Sequence, residues 1–96
     1  MKSSQHKLLV PDDVADLIRT MHPHLKKKVK ASFKIILSDP LSGKSLKDEL
    51  AGLRSFRVSK FRIIYRISKR KSIEVVAIGP RERIYEETYR LINKSK

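Results

Sequence analysis

The fold is decided by residues 53–80, which read LRSFRVSKFRIIYRISKRKSIEVVAIGP. Within this stretch, apolar and polar side chains alternate over Phe61–Ile67, the pattern of a strand with one face covered. Ile73–Ile78 is almost continuously apolar and rich in β-branched residues, which predicts a central strand covered on both faces. A further strand is predicted over Leu53–Ser59. Polar turns separate the three segments, so the stretch predicts an antiparallel meander.

Helical periodicity surrounds this meander. The rest of the chain is predicted to form a first strand, two amphipathic helices, a polar connection and a last helix, over His6–Val10, Asp12–Met21, His24–Ser38, Leu41–Ala51 and Arg83–Asn93. Two amphipathic helices joined by a short turn at Pro23 should form a helical hairpin. The sequence therefore predicts one α+β domain over residues 1–96. In it, a helical hairpin packs on a small, mostly antiparallel four-stranded sheet, with a C-terminal helix.

The charge is the strongest feature of the composition. Lysine and arginine number 23 against 10 acidic residues, giving a formal net charge of +13. So basic a domain attracts polyanions, and nucleic acid, an acidic protein or a membrane surface would each satisfy the charge. The absence of cysteine excludes disulfides and thiolate chemistry. No segment has the pattern of a secretory signal or a membrane span, so we expect a cytoplasmic protein.

Basic residues concentrate in the meander. Residues 50–73 contain no acidic residue and eight basic ones: Arg54, Arg57, Lys60, Arg62, Arg66, Lys69, Arg70 and Lys71. Because alternate residues of a strand share a face, Arg62 and Arg66 are expected together, with Arg57 beside them and Arg81 just after the last strand. Guanidinium groups without a counter-charge in the surrounding sequence are suited to bind phosphate. The alternative interpretation, a solvated face, fits the turn residues best, and the lysines of the second helix are expected to be helix surface that steers toward a polyanion.

Few other residues suggest chemistry. Tyr85 follows Arg81 by four positions, where its phenol would act as a base, bind a phosphate or simply pack. His22 and His24 flank a proline without a carboxylate pair nearby, which makes a poor metal site. No phosphate-binding glycine loop is present. We therefore expect neither a metal nor a cofactor.

Two segments, LRSFRVSKFRIIYRI at Leu53–Ile67 and IEVVAIGPRERIYEE at Ile73–Glu87, resemble the core signature of the RelE/ParE toxin superfamily. In that family a strand with a basic residue precedes a strand that combines aromatic, arginine and tyrosine, here FRIIY. A third strand ends in glycine, any residue and arginine, here GPR, before a C-terminal helix that carries a tyrosine. The resemblance implies the RelE-like microbial ribonuclease fold.

The resemblance also implies a toxin of a type II toxin–antitoxin system. RelE-like members are ribosome-dependent endoribonucleases that cleave mRNA without a metal. In them the RNA 2′-hydroxyl attacks its own adjacent phosphate, and a cognate antitoxin holds each toxin inactive. The implied partners are mRNA on the ribosome, ribosomal RNA and an antitoxin, with no membrane and no small-molecule cofactor.

By the same resemblance, four residues match catalytic positions: Arg57 a basic catalytic residue, Arg62 a phosphate clamp, Arg81 the arginine that assists the leaving oxygen, and Tyr85 the C-terminal tyrosine. Further contacts to RNA are expected from Arg54, Lys60, Arg66 and Arg83. Some RelE proteins have a second lysine where this chain has Ser59, and Lys60 replaces it only if the turn re-aims its side chain. The base that takes the 2′-hydroxyl proton is left open between Tyr85, Lys60 and another group.

Two other functions are open at this point. A ParE-like toxin that poisons DNA gyrase shares the fold but does not need the constellation of arginines and tyrosine. A basic RNA-binding module without activity would also fit the charge. The presence of the constellation favours the endoribonuclease.

Overall fold

The computed structural model describes residues 6–68 and 71–94. Its strands, β1 to β5, are Lys7–Leu9, Lys44–Ser45, Arg54–Val58, Phe61–Ser68 and Ser72–Pro80. Its α-helices, α1 to α3, are Asp12–Arg19, Pro23–Ser38 and Ile84–Lys94, and two short 3-10 helices are Pro40–Ser42 and Asp48–Leu50. Lys69 and Arg70, in the turn predicted between the last two strands, lie outside the described residues.

The strands form one sheet in the order β1–β5–β4–β3–β2. All neighbours are antiparallel except β1, which pairs in parallel with β5. The sequence predicts four of these strands and misses β2, in which Lys44 and Ser45 pair with Ser55 and Arg54. A two-residue strand has no alternating pattern to recognise, so the connection over Leu41–Ala51 is predicted without it.

α1 and α2 pack on one face of the sheet, as the helical hairpin is predicted to do. Apolar residues of both helices meet apolar residues of β3, β4 and β5 in one buried cluster: Val14, Ile18, Val29, Ile36, Val58, Ile63, Tyr65, Ile73, Val75 and Ile78. Tyr65, predicted as a core residue, is fully buried within it.

α3 packs on the opposite face, where its Ile84 forms a buried cluster with Leu53, Ile64 and Ala77. A Cβ atom at Gly79 would lie 2.9 Å from Ile84 Cδ1, so a larger residue there would displace the buried Ile84 side chain at the start of α3. This close approach sets the position of the residues that follow Ile84, among them Tyr85.

A bulge in β5 adjusts which side chains face each helix layer. Tyr65 pairs with Val75 and Ile64 with Ala77, so Val76 is an extra residue in β5. Such an insertion shifts the alternation of side chains by one position. As a result, Val75 and Ile78 both join the cluster under α1 and α2, although they are three residues apart.

Tyr65 also anchors the loop that leads from α2 to β2. Its hydroxyl donates a hydrogen bond to Pro40 O at 2.7 Å and accepts one from Gly43 N–H at 2.9 Å. Arg54, the cross-strand neighbour of Tyr65, donates from its guanidinium to Gly43 O at 3.0 Å and to Leu41 O at 3.2 Å. The two side chains together fix this loop against the sheet.

The start of α2 explains the histidine pair. Pro23, predicted to lie in the turn between the two helices, is the first residue of α2, where its missing N–H is not needed. His22 Nδ1 accepts a hydrogen bond from His24 N–H at 3.2 Å and so caps the helix. No group of three or more His, Asp or Glu side chains in the described ranges could hold a metal ion. In the same ranges, no helix has both the length and the apolar character needed to cross a membrane.

Candidate active site

β3 and β4 bring two arginines side by side on the face that α3 partly covers. Arg57 and Arg62 are direct cross-strand partners in an antiparallel pair, so their side chains leave the same face. Arg57 is exposed and Arg62 is half-buried. Like charges directly opposite each other destabilise an antiparallel pair, and a bound anion would relieve that repulsion.

The turn between β3 and β4 brings Lys60 near Arg57, and a backbone contact of this turn with the end of β5 brings Arg81 there as well. Ser59, with φ of 59°, occupies the first position of the two-residue turn. The backbone N–H of Arg81 donates to Lys60 O at 2.9 Å, which ties the turn to the end of β5. As a result, Arg57, Ser59, Lys60, Arg81 and Glu82 line one cavity of about 230 Å³. We call Arg57, Arg62 and Arg81 the arginine cluster.

Ser55 connects Tyr85 to this cluster. Its Oγ lies 3.1 Å from the Tyr85 hydroxyl and accepts a long hydrogen bond of 3.5 Å from Arg62 Nη1. Ser55 is only 2% exposed, so both contacts are made away from bulk water. Three elements, β3, β4 and α3, therefore converge on one hydroxyl group.

The electrostatics of the site favour an anion. The ion pairs within the described ranges are Asp16–Arg19, Glu74–Arg66 and Glu86–Arg90, and none involves the arginine cluster. The Nε of Arg62 is buried and has no hydrogen-bond partner among the described residues. A buried donor without a partner is costly, and a phosphate oxygen is an acceptor that would satisfy it.

Comparison with known protein families shows the family to which the chain belongs. Residues 9–85 match the model of a family described as the ParE toxin of type II toxin–antitoxin systems. The chain belongs to this ParE toxin family. The predicted membership of the RelE/ParE superfamily is thereby confirmed. No curated protein sequence matches the toxin significantly.

The toxin's fold is similar to that of solved RelE proteins. A RelBE toxin–antitoxin complex from Mycobacterium tuberculosis matches with 24% identity and a TM-score of 0.69, covering 79% of this chain and 98% of that chain. An arginine double mutant of Escherichia coli RelE in the free state matches with 17% identity and a TM-score of 0.72, covering 94% and 96%. A RelE–RelB complex from Pyrococcus horikoshii matches with 17% identity and a TM-score of 0.67, covering 81% and 97%. These likenesses confirm the predicted RelE-like fold.

Five of the eight site residues predicted from the toxin's sequence lie together: Arg57, Lys60, Arg62, Arg81 and Tyr85. The other three lie apart. Arg54 is engaged by the loop carbonyls, and Arg83 is exposed in the turn before α3. Arg66 is paired with Glu74 at 2.6 Å. The expectation that the arginines of this segment lack a counter-charge is therefore wrong for Arg66, because the register of β5 brings Glu74 opposite it.

The structure also adds two residues to the toxin's site. Ser55 looks like an ordinary polar strand residue, and its only signal in the sequence is its position two residues before Arg57, on the same face. Glu82 lies in the turn that precedes α3, which begins at Ile84, and lines the cavity beside Arg81.

Proposed function

We propose that the toxin is an mRNA interferase, an endoribonuclease that cuts mRNA on the ribosome. The convergence of the arginine cluster with Tyr85 on one sheet face is the observation that carries this proposal. Guanidinium groups held in place before the substrate arrives stabilise the negative charge of a phosphorane-like transition state. Removing one such preorganised donor from an enzyme commonly costs 100-fold or more, roughly.

The proposed step is an internal transfer at one phosphodiester. The RNA 2′-oxygen forms a bond to the adjacent phosphorus, the bond from phosphorus to the 5′-oxygen breaks, and a 2′,3′-cyclic phosphate and a 5′-hydroxyl result. Arg57 and Arg62 bind the non-bridging oxygens, and Arg81 stabilises the leaving oxygen. Lys60 and Glu82 in the cavity lining, and Tyr85 beside Ser55, are able to exchange the proton that moves from the 2′-oxygen to the 5′-oxygen.

A second candidate is a toxin that inhibits DNA gyrase without cutting RNA. The family match favours it, since that family is described by the ParE toxin. A gyrase poison binds a protein target and has no need of an arginine whose buried Nε is left without a hydrogen-bond partner in the described residues. We therefore rank it below the interferase.

Product chemistry separates the two candidates. Purified toxin is added to ribosomes translating a defined mRNA, and the fragment ends are analysed, while the same preparation is assayed for inhibition of DNA supercoiling by gyrase. The interferase produces fragments with 5′-hydroxyl and 2′,3′-cyclic phosphate ends and leaves supercoiling unchanged. Intact mRNA together with inhibited gyrase would reverse the ranking, and binding to ribosomes with neither effect would support a non-catalytic module.

We further propose that a cognate antitoxin neutralises the toxin, as the solved complexes of similar toxins with antitoxins suggest. α3 leaves part of its sheet face uncovered. The resulting groove is mostly apolar and is lined by residues 8–11, 66 and 74–76. Such a groove suits an apolar strand or helix of an acidic protein, whose charge would complement the basic surface. A neutralising antitoxin that leaves this groove open would contradict the placement.

Ser55→Ala is expected to lower the single-turnover cleavage rate by roughly fivefold, because one buried hydrogen bond is worth about 1 kcal/mol. The apparent affinity for ribosomes should not change, since Ser55 is too buried to contact them. If Ser55 acts by positioning Tyr85, the same change in a Tyr85→Phe background should have no further effect on the rate. Ser45→Ala on exposed β2 is the matched control and should cut like the wild type. Equal losses in both backgrounds would show that Ser55 does not act through Tyr85.

A further inference from the structure

α2 carries a row of lysines that its own helix does not favour. The helix contains no acidic residue, and Lys27, Lys30 and Lys34 follow one another at i, i+3 and i+7 on its exposed side. We call these three residues the lysine row. Like charges three and four residues apart repel each other, and Lys26 adds a further such pair with Lys30. The last turn, where the helix dipole favours cations, has none.

Nothing within the described ranges neutralises this row. The ion pairs found there all involve arginine, and none involves a residue of α2. The buried residues of α2, Val29, Ser32 and Ile36, place the lysine row on the side that points away from the sheet. Because α2 and α3 cover opposite faces, the row lies on the other side of the molecule from the arginine cluster.

The shape of the row selects the kind of partner. Seven helical residues span about 10 Å in a straight line, over which one strand of a duplex presents about three phosphates. The exposed residues of α2 include no Phe, Tyr or Trp, and the exposed ring of His24 already stacks on His22, so the surface offers little platform on which unpaired bases would stack. It also lacks the aromatic anchors typical of protein–protein hot spots, and lysine is depleted from such interfaces.

We propose that the lysine row binds the phosphate backbone of double-helical RNA, so that the toxin grips structured RNA with one face while the other holds the strand to be cut. The choice of RNA as the ligand rests on the proposed function. The inference that the lysine row binds a duplex backbone does not depend on that function. Duplex RNA is recognised mostly through its shape and its phosphates, which is what a straight row of point charges offers.

The test compares three variants with the wild type for binding a fully paired RNA hairpin across a series of salt concentrations. The first is K27Q/K30Q/K34Q, in the lysine row. The second, K7Q/K47Q/K71Q, removes the same charge from exposed lysines outside α2. The third, R57A/R62A, alters the arginine cluster.

The lysine-row variant is expected to bind the hairpin at least about tenfold more weakly, with a salt dependence shallower by about 2 to 3 units of slope, because each lost phosphate contact removes nearly one unit. K7Q/K47Q/K71Q should lose less than about threefold, and R57A/R62A should lose less affinity than the lysine-row variant, because it removes two phosphate-binding charges instead of three. Thermal unfolding should show the lysine-row variant as stable as the wild type or more so, since a source of repulsion is removed.

Other outcomes overturn the proposal. Equal losses of hairpin affinity in the two lysine variants would mean that net charge alone attracts RNA and that the lysine row is not a binding surface. Equal or tighter binding of a DNA hairpin of the same sequence would remove the commitment to RNA, and preferential binding of poly-glutamate would assign the row to an acidic protein. Hairpin binding needs no cleavage, so the lysine-row proposal can still be confirmed for a toxin that leaves mRNA intact on ribosomes. A toxin that cuts mRNA while its lysine-row variant binds and cuts normally refutes this inference alone.

Discussion

Arg62→Ala is expected to reduce ribosome-dependent cleavage by roughly 100- to 1000-fold, the loss that follows removal of one preorganised donor in comparable sites. Arg62 is the half-buried member of the arginine cluster, and its buried Nε has no partner in the described structure. Its register opposite Arg57 and its contact with Ser55 hold it where a phosphate would sit. Single-turnover cleavage of mRNA on ribosomes measures the effect.

Arg66→Ala is the matched control for this prediction. Arg66 lies on the same strand, four residues further on, and carries the same charge. Its partner is Glu74 in an exposed ion pair, which contributes little to stability. Cleavage should stay within about threefold of the wild type in this variant, since no preorganised donor is lost. Similar losses in both variants would mean that overall positive charge, and not the arginine cluster, supports the activity.

Arg62→Ala should not weaken the fold. The change removes a buried donor without a partner and one side of a like-charge pair, so the free energy of unfolding is expected to stay constant or to rise. A chemical denaturation curve checks this directly. Loss of cleavage accompanied by loss of stability would leave the arginine a structural residue and would contradict its proposed role.

Gly43→Ala is expected to lower the free energy of unfolding by about 2 to 4 kcal/mol, the largest effect on stability that we predict. A Cβ atom there would lie 2.5 Å from the Tyr65 hydroxyl oxygen and 2.8 Å from its ring. Tyr65 is fully buried and cannot move aside, so the loop must shift and both of its hydrogen bonds to Tyr65 are at risk. The melting temperature should fall by roughly 10 °C or more.

A double-mutant cycle tests the cause of this loss. Tyr65→Phe alone should cost about 1 to 3 kcal/mol, because Gly43 N–H then lacks its acceptor. In the double variant the hydroxyl oxygen no longer collides with the new methyl group, so the combined cost should be smaller than the sum of the two single costs. Strict additivity would show that the clash with Tyr65 is not the reason for the instability of Gly43→Ala.

The regular strands and helices were within reach of the sequence because their signals are local. Alternation over Phe61–Ile67 and the continuous β-branched run at Ile73–Ile78 predicted β4 and β5 in nearly the observed positions. β2 was missed because two residues show no period. The bulge at Val76 was also beyond prediction, since it is defined by the partner strand and not by the residue itself.

The candidate site was predictable in its residue types and less so in its membership. Alternation along the strands predicts that Arg57 and Arg62 share one face, and Arg81 follows directly after the last strand. Arg66 follows the same alternation, but it forms an ion pair with Glu74, which lies eight residues later in the chain on β5. Ser55 and Glu82 belong to the candidate site only because of where α3 begins and how it packs on the sheet.

The amino-acid sequence is enough to predict the fold family, the basic character of the protein and a set of arginines on one sheet face, because periodicity, composition and charge pattern are visible in residues that are close along the chain. Tertiary contacts decide which of those arginines lie together without an ion pair among the described residues. That outcome depends on strand register, on the turn at Ser59 and on the close approach of α3 at Gly79, which are set by contacts between distant parts of the chain. For the same reason, only the structure shows that the lysine row and the arginine cluster lie on opposite faces.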